Sequence, residues 1–158
     1  MLAVAAPNKA EVVRFAGGWL FDRVMAGWEV MVLTPDQGDS RPLRILGVQP
    51  LDLETALNCE IRGPRPQAIA IDADLYGADE RIRRRVLEVL GEGRTEVRLW
   101  GERWAADAEG GADAVRHRLS AAARAFKAQA LEAAAEPGRG EVIELFGTGE
   151  LLRHSRSA

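Results

Sequence analysis

The chain has 158 residues and a mass of 17.2 kDa, with 21 basic against 24 acidic side chains, 47% hydrophobic residues and one cysteine. A chain of this length buries roughly 70% of the surface its unfolded form exposes, so one hydrophobic core suffices and disordered, collagen-like and repeat architectures are excluded. Cys59 alone closes no intrachain disulfide, no Cys/His cluster suits zinc, a net charge of −3 gives no field for nucleic acid, and no stretch nears the roughly 18 apolar residues of a membrane span, so a cytoplasmic protein without nucleic-acid or membrane partners is expected.

Residues 1–6 are short and apolar, and Pro7-Asn8 interrupts them before a helical pattern begins. Asn8 and Glu11 read as a capping box, in which the amide oxygen accepts from first-turn N–H groups and the carboxylate reaches back. Val12, Phe15, Ala16, Trp19, Leu20 and Val24 recur at three and four, which predicts a helix to Ala26, with Gly27 as its left-handed stop. The valine-rich run 28–34 predicts a strand buried on both faces. A turn cluster at 35–40 leads to an expected strand from Leu43 to Val48, either a hairpin partner or an extension of the sheet elsewhere. Asp52 caps a short helix through Asn58, and Pro64 and Pro66 keep the next segment out of helical geometry. Residues 68–73 give a third strand. A helix then starts at Gly77-Ala78-Asp79, buries Ile82, Val86, Val89 and Leu90, and ends near Gly91 or Gly93. Residues 95–100 give a fourth strand, and Val115, Leu119, Ala122, Phe126 and Ala130 predict a long helix over 111–136. The apolar cluster in 141–152 fits an edge strand, a short helix or an arm, and 141–158 is expected as a C-terminal arm or tail.

Helices alternating with short buried strands predict a single α/β domain over residues 1–158, a three-layer sandwich of Rossmann- or flavodoxin-like kind. Its sheet is expected to hold about four or five strands, mostly parallel or mixed, with helices on both faces. Ligands of such sheets bind beyond the carboxyl ends of the strands. In the loop Ala6-Pro7-Asn8-Lys9, helix N–H groups and Lys9 stand where an anion could be held, with Arg81 as a further phosphate ligand. Both glycine-rich phosphate fingerprints are missing, and Gly17-Gly18 lies mid-helix, where close approach of a neighbouring element accounts for it. The strand, the Ala-Pro turn and the helix with Gly17-Gly18, followed by Ala26-Gly27-Trp28-Glu29-Val30, resemble the opening of the LmbE-like zinc deacetylases over about thirty residues. That family's histidine and paired aspartates would fall at Asn8, Lys9 and Ala10, none of which supplies them, so the resemblance does not become an assignment.

Asp72 and Asp74 end the third strand at i,i+2. Strand alternation would put both carboxylates on one side, a pattern suited to Mg²⁺ held together with substrate phosphates. The pair resembles the Asp-x-Asp of haloacid-dehalogenase-type phosphatases and of nucleotide-sugar glycosyltransferases. Leu75-Tyr76-Gly77 departs from the Gly-Thr that continues the phosphatase pattern, and the chain is short for the transferases. The arginines at 81, 83, 84 and 85 read as a solvated helix face, because no aromatic residues stand among them to stack bases. Trp100 and Trp104 flank Gly101-Glu102-Arg103, the composition of an interaction hot spot, and with Phe146 and Leu151 they are expected to form an interaction surface. Cys59 and Ser120 have no histidine beside them in the sequence to activate a nucleophile.

These features predict a non-catalytic binding or assembly module without a cofactor, acting through protein–protein contacts with a second copy of itself or another protein. The alanines between 121 and 130 would let another helix approach closely. The alternative is a Mg²⁺-dependent nucleotide- or phosphate-ester-binding protein or enzyme, with Asp72 and Asp74 on the metal and Lys9 or Arg81 on phosphate. Convergence of the loops at Asn8 and Asp36 with Asp74 into one polar cleft would favour that alternative.

Overall fold

Seven strands form one sheet in the computed structural model of the chain, which describes residues 1–36, 38–59, 64–101, 114–136, 138, 141–149 and 152. The elements in chain order are β1 (Leu2–Ala5), α1 (Lys9–Met25), β2 (Val30–Thr34), α2 (Arg41–Ile45), β3 (Gln49–Asp52), α3 (Leu53–Asn58) and β4 (Ala68–Asp72). They continue with α4 (Ala73–Ala78), α5 (Glu80–Gly91), β5 (Glu96–Trp100), β6 (Ala114–Arg118), a helix numbered here α6 (Ala121–Ala133) and β7 (Ile143–Thr148). The strand order is β3-β2-β1-β4-β5-β7-β6. β1 to β5 are mutually parallel, while β7 runs antiparallel to both β5 and β6. The α/β architecture and the mostly parallel sheet agree with the sequence; the strand count is larger than expected.

Alternation sorts the side chains of the central strands onto two faces. Leu2 and Val4 of β1, Ala68 and Ala70 of β4 and Trp100 of β5 meet Val12, Val13, Ala16, Trp19 and Leu20 of α1, together with residues of α2 and α6. Ala5, Ile71, Val97 and Leu99 point the other way, onto Leu53 of α3 and Ile82, Val86 and Leu90 of α5.

Two segments differ from their expected form. Residues 41–45 are helix rather than strand: Pro42 is tolerated in a first turn, and Leu43 and Leu46, three apart, are both buried against α1 and α6. The helix expected over 111–136 begins only after Ser120, whose side chain caps it through Ala123 N–H at 3.0 Å. Before it, β6 exposes Arg116 and Arg118 and half-buries Val115 and His117, a period of two that the spacing of Val115 and Leu119 concealed. Of the three forms left open for 141–152, β7 is a strand, and an interior one.

α1 is bonded from outside in mid-helix. Mid-helix N–H groups normally donate four residues back. Those of Gly18 and Trp19 also reach the Glu144 carboxylate of β7, at 3.0 and 2.6 Å. Lys127 Nζ of α6 donates to Arg14 O at 2.7 Å and to Glu144 Oε2 at 2.7 Å. Glu144 and Lys127 are 1% and 3% exposed, so a buried ion pair is hydrogen-bonded onto the backbone of α1. Gly18 is required there, since a Cβ on it would overlap the Leu119 side chain.

Candidate functional site

β1, β2 and β3 deliver three loops to one carboxyl edge of the sheet, as parallel strands must. α1 begins there with Asn8 as its N-cap, Oδ1 accepting from Glu11 N–H at 2.9 Å. Asn8 is therefore a capping residue, and it leaves Lys9 at the first helical position. Lys9 is 6% exposed, and its ammonium donates to Asp36 O at 2.8 Å and Gly38 O at 3.1 Å in the loop after β2. Burying an ammonium requires partners of this kind. An ion pair with Asp36 Oδ1 at 3.3 Å completes the set. That oxygen is buried yet receives no hydrogen bond, because the contact with Lys9 is close without being aligned for one.

Lys9, Asp36, Gly38, Ser40, Pro50 and Asp52 line a cavity of about 180 Å³. Asp52 closes β3 and caps α3, Oδ2 accepting from Thr55 N–H at 2.9 Å and from its hydroxyl at 2.7 Å. Two carboxylates thus face one ammonium across a polar cleft. The loops at Asn8 and Asp36 converge as the enzyme alternative required, but Asp52 joins them in the cleft where Asp74 was expected. Asp52 carried no sequence signal beyond its cap.

The other sequence-predicted residues lie elsewhere. Asp72 is the last residue of β4 and Asp74 the second of α4, so strand alternation does not govern the pair: Asp72 is 3% exposed whereas Asp74 is solvent-facing. Asp72 Oδ1 caps α4 through Leu75 N–H at 2.9 Å, and burial pushes its carboxyl above the usual range. Arg81 is committed to carboxylates, both guanidinium ends reaching Glu54 at 2.9 Å and a further bond reaching Asp79 at 2.9 Å, which hold its pKa above the ordinary value. Trp100 and Phe146 are each 0% exposed, so they are core residues and not an interaction surface. Their placement follows from β7, whose insertion beside β5 lays Phe146 against Trp19 with ring centroids 4.8 Å apart. Trp104 and Leu151 lie outside the described residues.

A second polar cluster joins residues far apart in sequence. Asp22 of α1 meets His117 Nε2 at 2.8 Å through Oδ2 and accepts from the Ser120 hydroxyl at 2.5 Å through Oδ1. Burial raises the Asp22 carboxyl, and the bonds from Ser120 and His117 outweigh it, leaving its pKa below the ordinary value. The aspartate lies between the serine and the histidine. The order needed to activate a serine, with histidine in the middle, is not met.

A resident zinc is a poor match for the described residues at the carboxyl edge. The turn after β1 offers Ala6-Pro7-Asn8-Lys9, with a cap and an ammonium where a cation would need anionic or imidazole donors. Among the described residues no group of three or more His, Cys, Asp or Glu side chains is assembled to hold a metal. Nor is any described helix long and apolar enough to cross a membrane.

No family model matches the chain, and no curated protein matches it by sequence. Solved structures do share its fold. A deacetylase triple mutant (Orf2*T) of the teicoplanin biosynthetic pathway superposes with a TM-score of 0.63 at 16% identity, covering 93% of this chain and 96% of its own. The zinc-inhibited form of teicoplanin deacetylase Orf2 gives 0.58 at 16% identity over 83% of this chain and 82% of its own. The A40926 pseudoaglycone deacetylase Dbv21 gives 0.53 at 16% identity over 83% and 79%. At this identity the likeness is one of fold. It runs against the expectation of a non-catalytic module, because the solved structures that share this framework over 79–96% of their own chains are deacetylases.

Proposed function

We propose that this chain is an enzyme that removes an acyl group from a small polar amine. Its substrate sits in the cleft of Lys9, Asp36, Ser40 and Asp52, and no zinc is held in the turn after β1. The observation that carries the reading is the Asp36 carboxylate at the mouth of three parallel strands: its Oδ1 is buried against the Lys9 ammonium without a hydrogen bond, while the side chain as a whole is 32% exposed in the cleft. Such a carboxylate is anchored at one oxygen and open to substrate or water at the other. The fold shared with the deacetylases supports the reaction class, and the excess of carboxylate over ammonium in the cleft suits a product that becomes a cationic amine. In the reaction, water adds to the acyl carbon while Asp36 takes its proton. The C–N bond then breaks, and the proton passes to the departing nitrogen, leaving a carboxylic acid and an amine. Lys9 keeps the Asp36 loop in place through its two carbonyl bonds.

The test is release of primary amine from a panel of N-acetylated amino sugars and amino acids, measured with fluorescamine with and without EDTA. Amine release that survives the chelator and falls about 10²- to 10⁴-fold in Asp36→Asn is expected. Silence across the panel, or activity abolished by EDTA and restored by zinc, would sink the proposal.

A further inference from the structure

Parallel strands in the middle of a sheet are normally covered on both faces. Here the face carrying α3 and α5 is open over the central strands: Ala3 of β1, Met31 and Leu33 of β2 and Ile69 of β4 are only partly buried. The cause lies in the crossover from β3 to β4. Where a full-length helix would lie across β1 and β2, the described residues of the crossover supply only the six-residue α3, and Pro64 and Pro66 precede β4. Small residues deepen the gap, because Ala3, Ala5 and Ala56 leave volume that larger side chains would fill. The result is a cavity of about 270 Å³ whose walls are aliphatic. Its charged side chains among the described residues are Arg65 and Arg85. Arg65 is paired with Glu92 at 2.6 Å, whereas Arg85 donates to a neutral carbonyl, Cys59 O, at 3.3 Å and has no carboxylate partner among the described residues.

We propose that this cavity binds a medium-chain fatty carboxylate, its alkyl chain against the uncovered strands and its carboxylate on Arg85. The volume sets the length. If a methylene takes about the space of a water molecule, roughly 30 Å³, the cavity holds about nine carbons. The charge sets the head group, since an aliphatic slot bordered by a guanidinium without a carboxylate partner among the described residues favours an anion over an alcohol or a quaternary amine. The two cavities share Leu51 as a wall, but the binding proposed here does not rest on the reaction proposed above.

Calorimetric titration of the full chain with sodium hexanoate, octanoate, decanoate and dodecanoate, each below its micellar concentration, tests it. One molar equivalent is expected to bind, about fourfold tighter for each added methylene, the equivalent of ~0.8 kcal/mol per CH₂, with the gain levelling off after decanoate. Decanol and decyltrimethylammonium should bind at least tenfold more weakly than decanoate. Ala3→Leu, which fills the slot, should weaken decanoate at least tenfold. Arg85→Glu, at a partly exposed position, should do the same while leaving decanol unaffected, and it keeps the test valid if Ala3→Leu fails to fold by circular dichroism. The proposal is overturned by an absence of saturable binding, by binding indifferent to head-group charge, or by a dimer in light scattering that Arg85→Glu dissociates, which would assign the face to a second copy.

Discussion

The buried ion pair on α1 makes a sharp energetic prediction. Lys127→Met leaves the Arg14 carbonyl without its outside donor and the Glu144 carboxylate without its countercharge in a site that is 1% exposed. Glu144→Leu leaves the Lys127 ammonium with Arg14 O and the more distant, exposed Glu141 at 3.9 Å, and it removes the acceptor of two amide groups. Breaking one side of a buried pair costs about 3–5 kcal/mol. For a domain of this size that corresponds to a fall in Tm of roughly 6–20 °C, taking about 2–4 °C per kcal/mol. The double variant behaves differently. With both charged groups gone, Gly18 N–H and Trp19 N–H have the carbonyls of Arg14 and Phe15 four residues back as acceptors, so the backbone of α1 needs no outside partner and an apolar pair fills the site. The double variant should therefore lose less than the sum of the singles by at least 2 kcal/mol, the signature of groups in one network. Urea denaturation of the four proteins at constant m measures the cycle. Additive losses, or a single variant costing under about 1 kcal/mol, would show that the pair is not what fixes α1.

Other expectations follow from individual side chains. Gly18→Ala should destabilise the protein by about 1–3 kcal/mol despite alanine's better helix propensity, because its methyl would overlap Leu119; an equal or higher Tm would contradict the packing described. Asp72 has its carboxyl raised by burial, so its contribution is complete below the ordinary carboxylate pKa and fades as pH climbs through the raised value. Asparagine still caps a helix, so the Tm of Asp72→Asn relative to the parent should rise between pH 4 and neutrality; a flat difference across paired melts refutes this. Asp22→Asn should cost about 1–2 kcal/mol at neutral pH through its bonds to Ser120 and His117. Because the Asp22 pKa is lowered, that loss should shrink as pH falls through the native value, and a pH-independent loss would argue against an ionic role.

What could be read from the sequence was what neighbouring residues decide among themselves. The Asn8 cap, the stop at Gly27 and the helix from Asp52 to Asn58 all rest on contacts within one turn, and all are present. Residues 43–48 failed because six residues are too few for period to separate strand from helix, and β6 failed because its pairing partner, β7, lies some 25 residues further on. The mid-helix pair Gly17-Gly18 did announce a close neighbour, though not that Leu119 and Glu144 would be involved. The same limit applies to the site. Lys9 was legible as a cation at a helix start, but its partners are carbonyls about 27 and 29 residues away, which leave no residue-type pattern. Asp72 and Asp74 misled because the strand ends between them.

The carboxyl edge is organised by an ammonium. A metal ion at such an edge draws loops together by binding their anionic side chains, and it exchanges with solvent. Lys9 draws the loop after β2 in by its main-chain carbonyls, from a side chain fixed covalently to the first turn of α1. The carbonyls are satisfied by that arrangement, and the Asp36 carboxylate beside them is ion-paired to the same ammonium without a hydrogen bond. The proposed chemistry at this edge therefore depends on a carboxylate that Lys9 positions both through the loop backbone and by its charge. Replacing Lys9 should misplace Asp36 without touching it. Lys9→Met is accordingly expected to lower kcat for amine release nearly as far as Asp36→Asn does, with the Lys9→Met, Asp36→Asn double variant no worse than either single. Independent, multiplicative losses in the two single variants would mean that Lys9 does not act through Asp36.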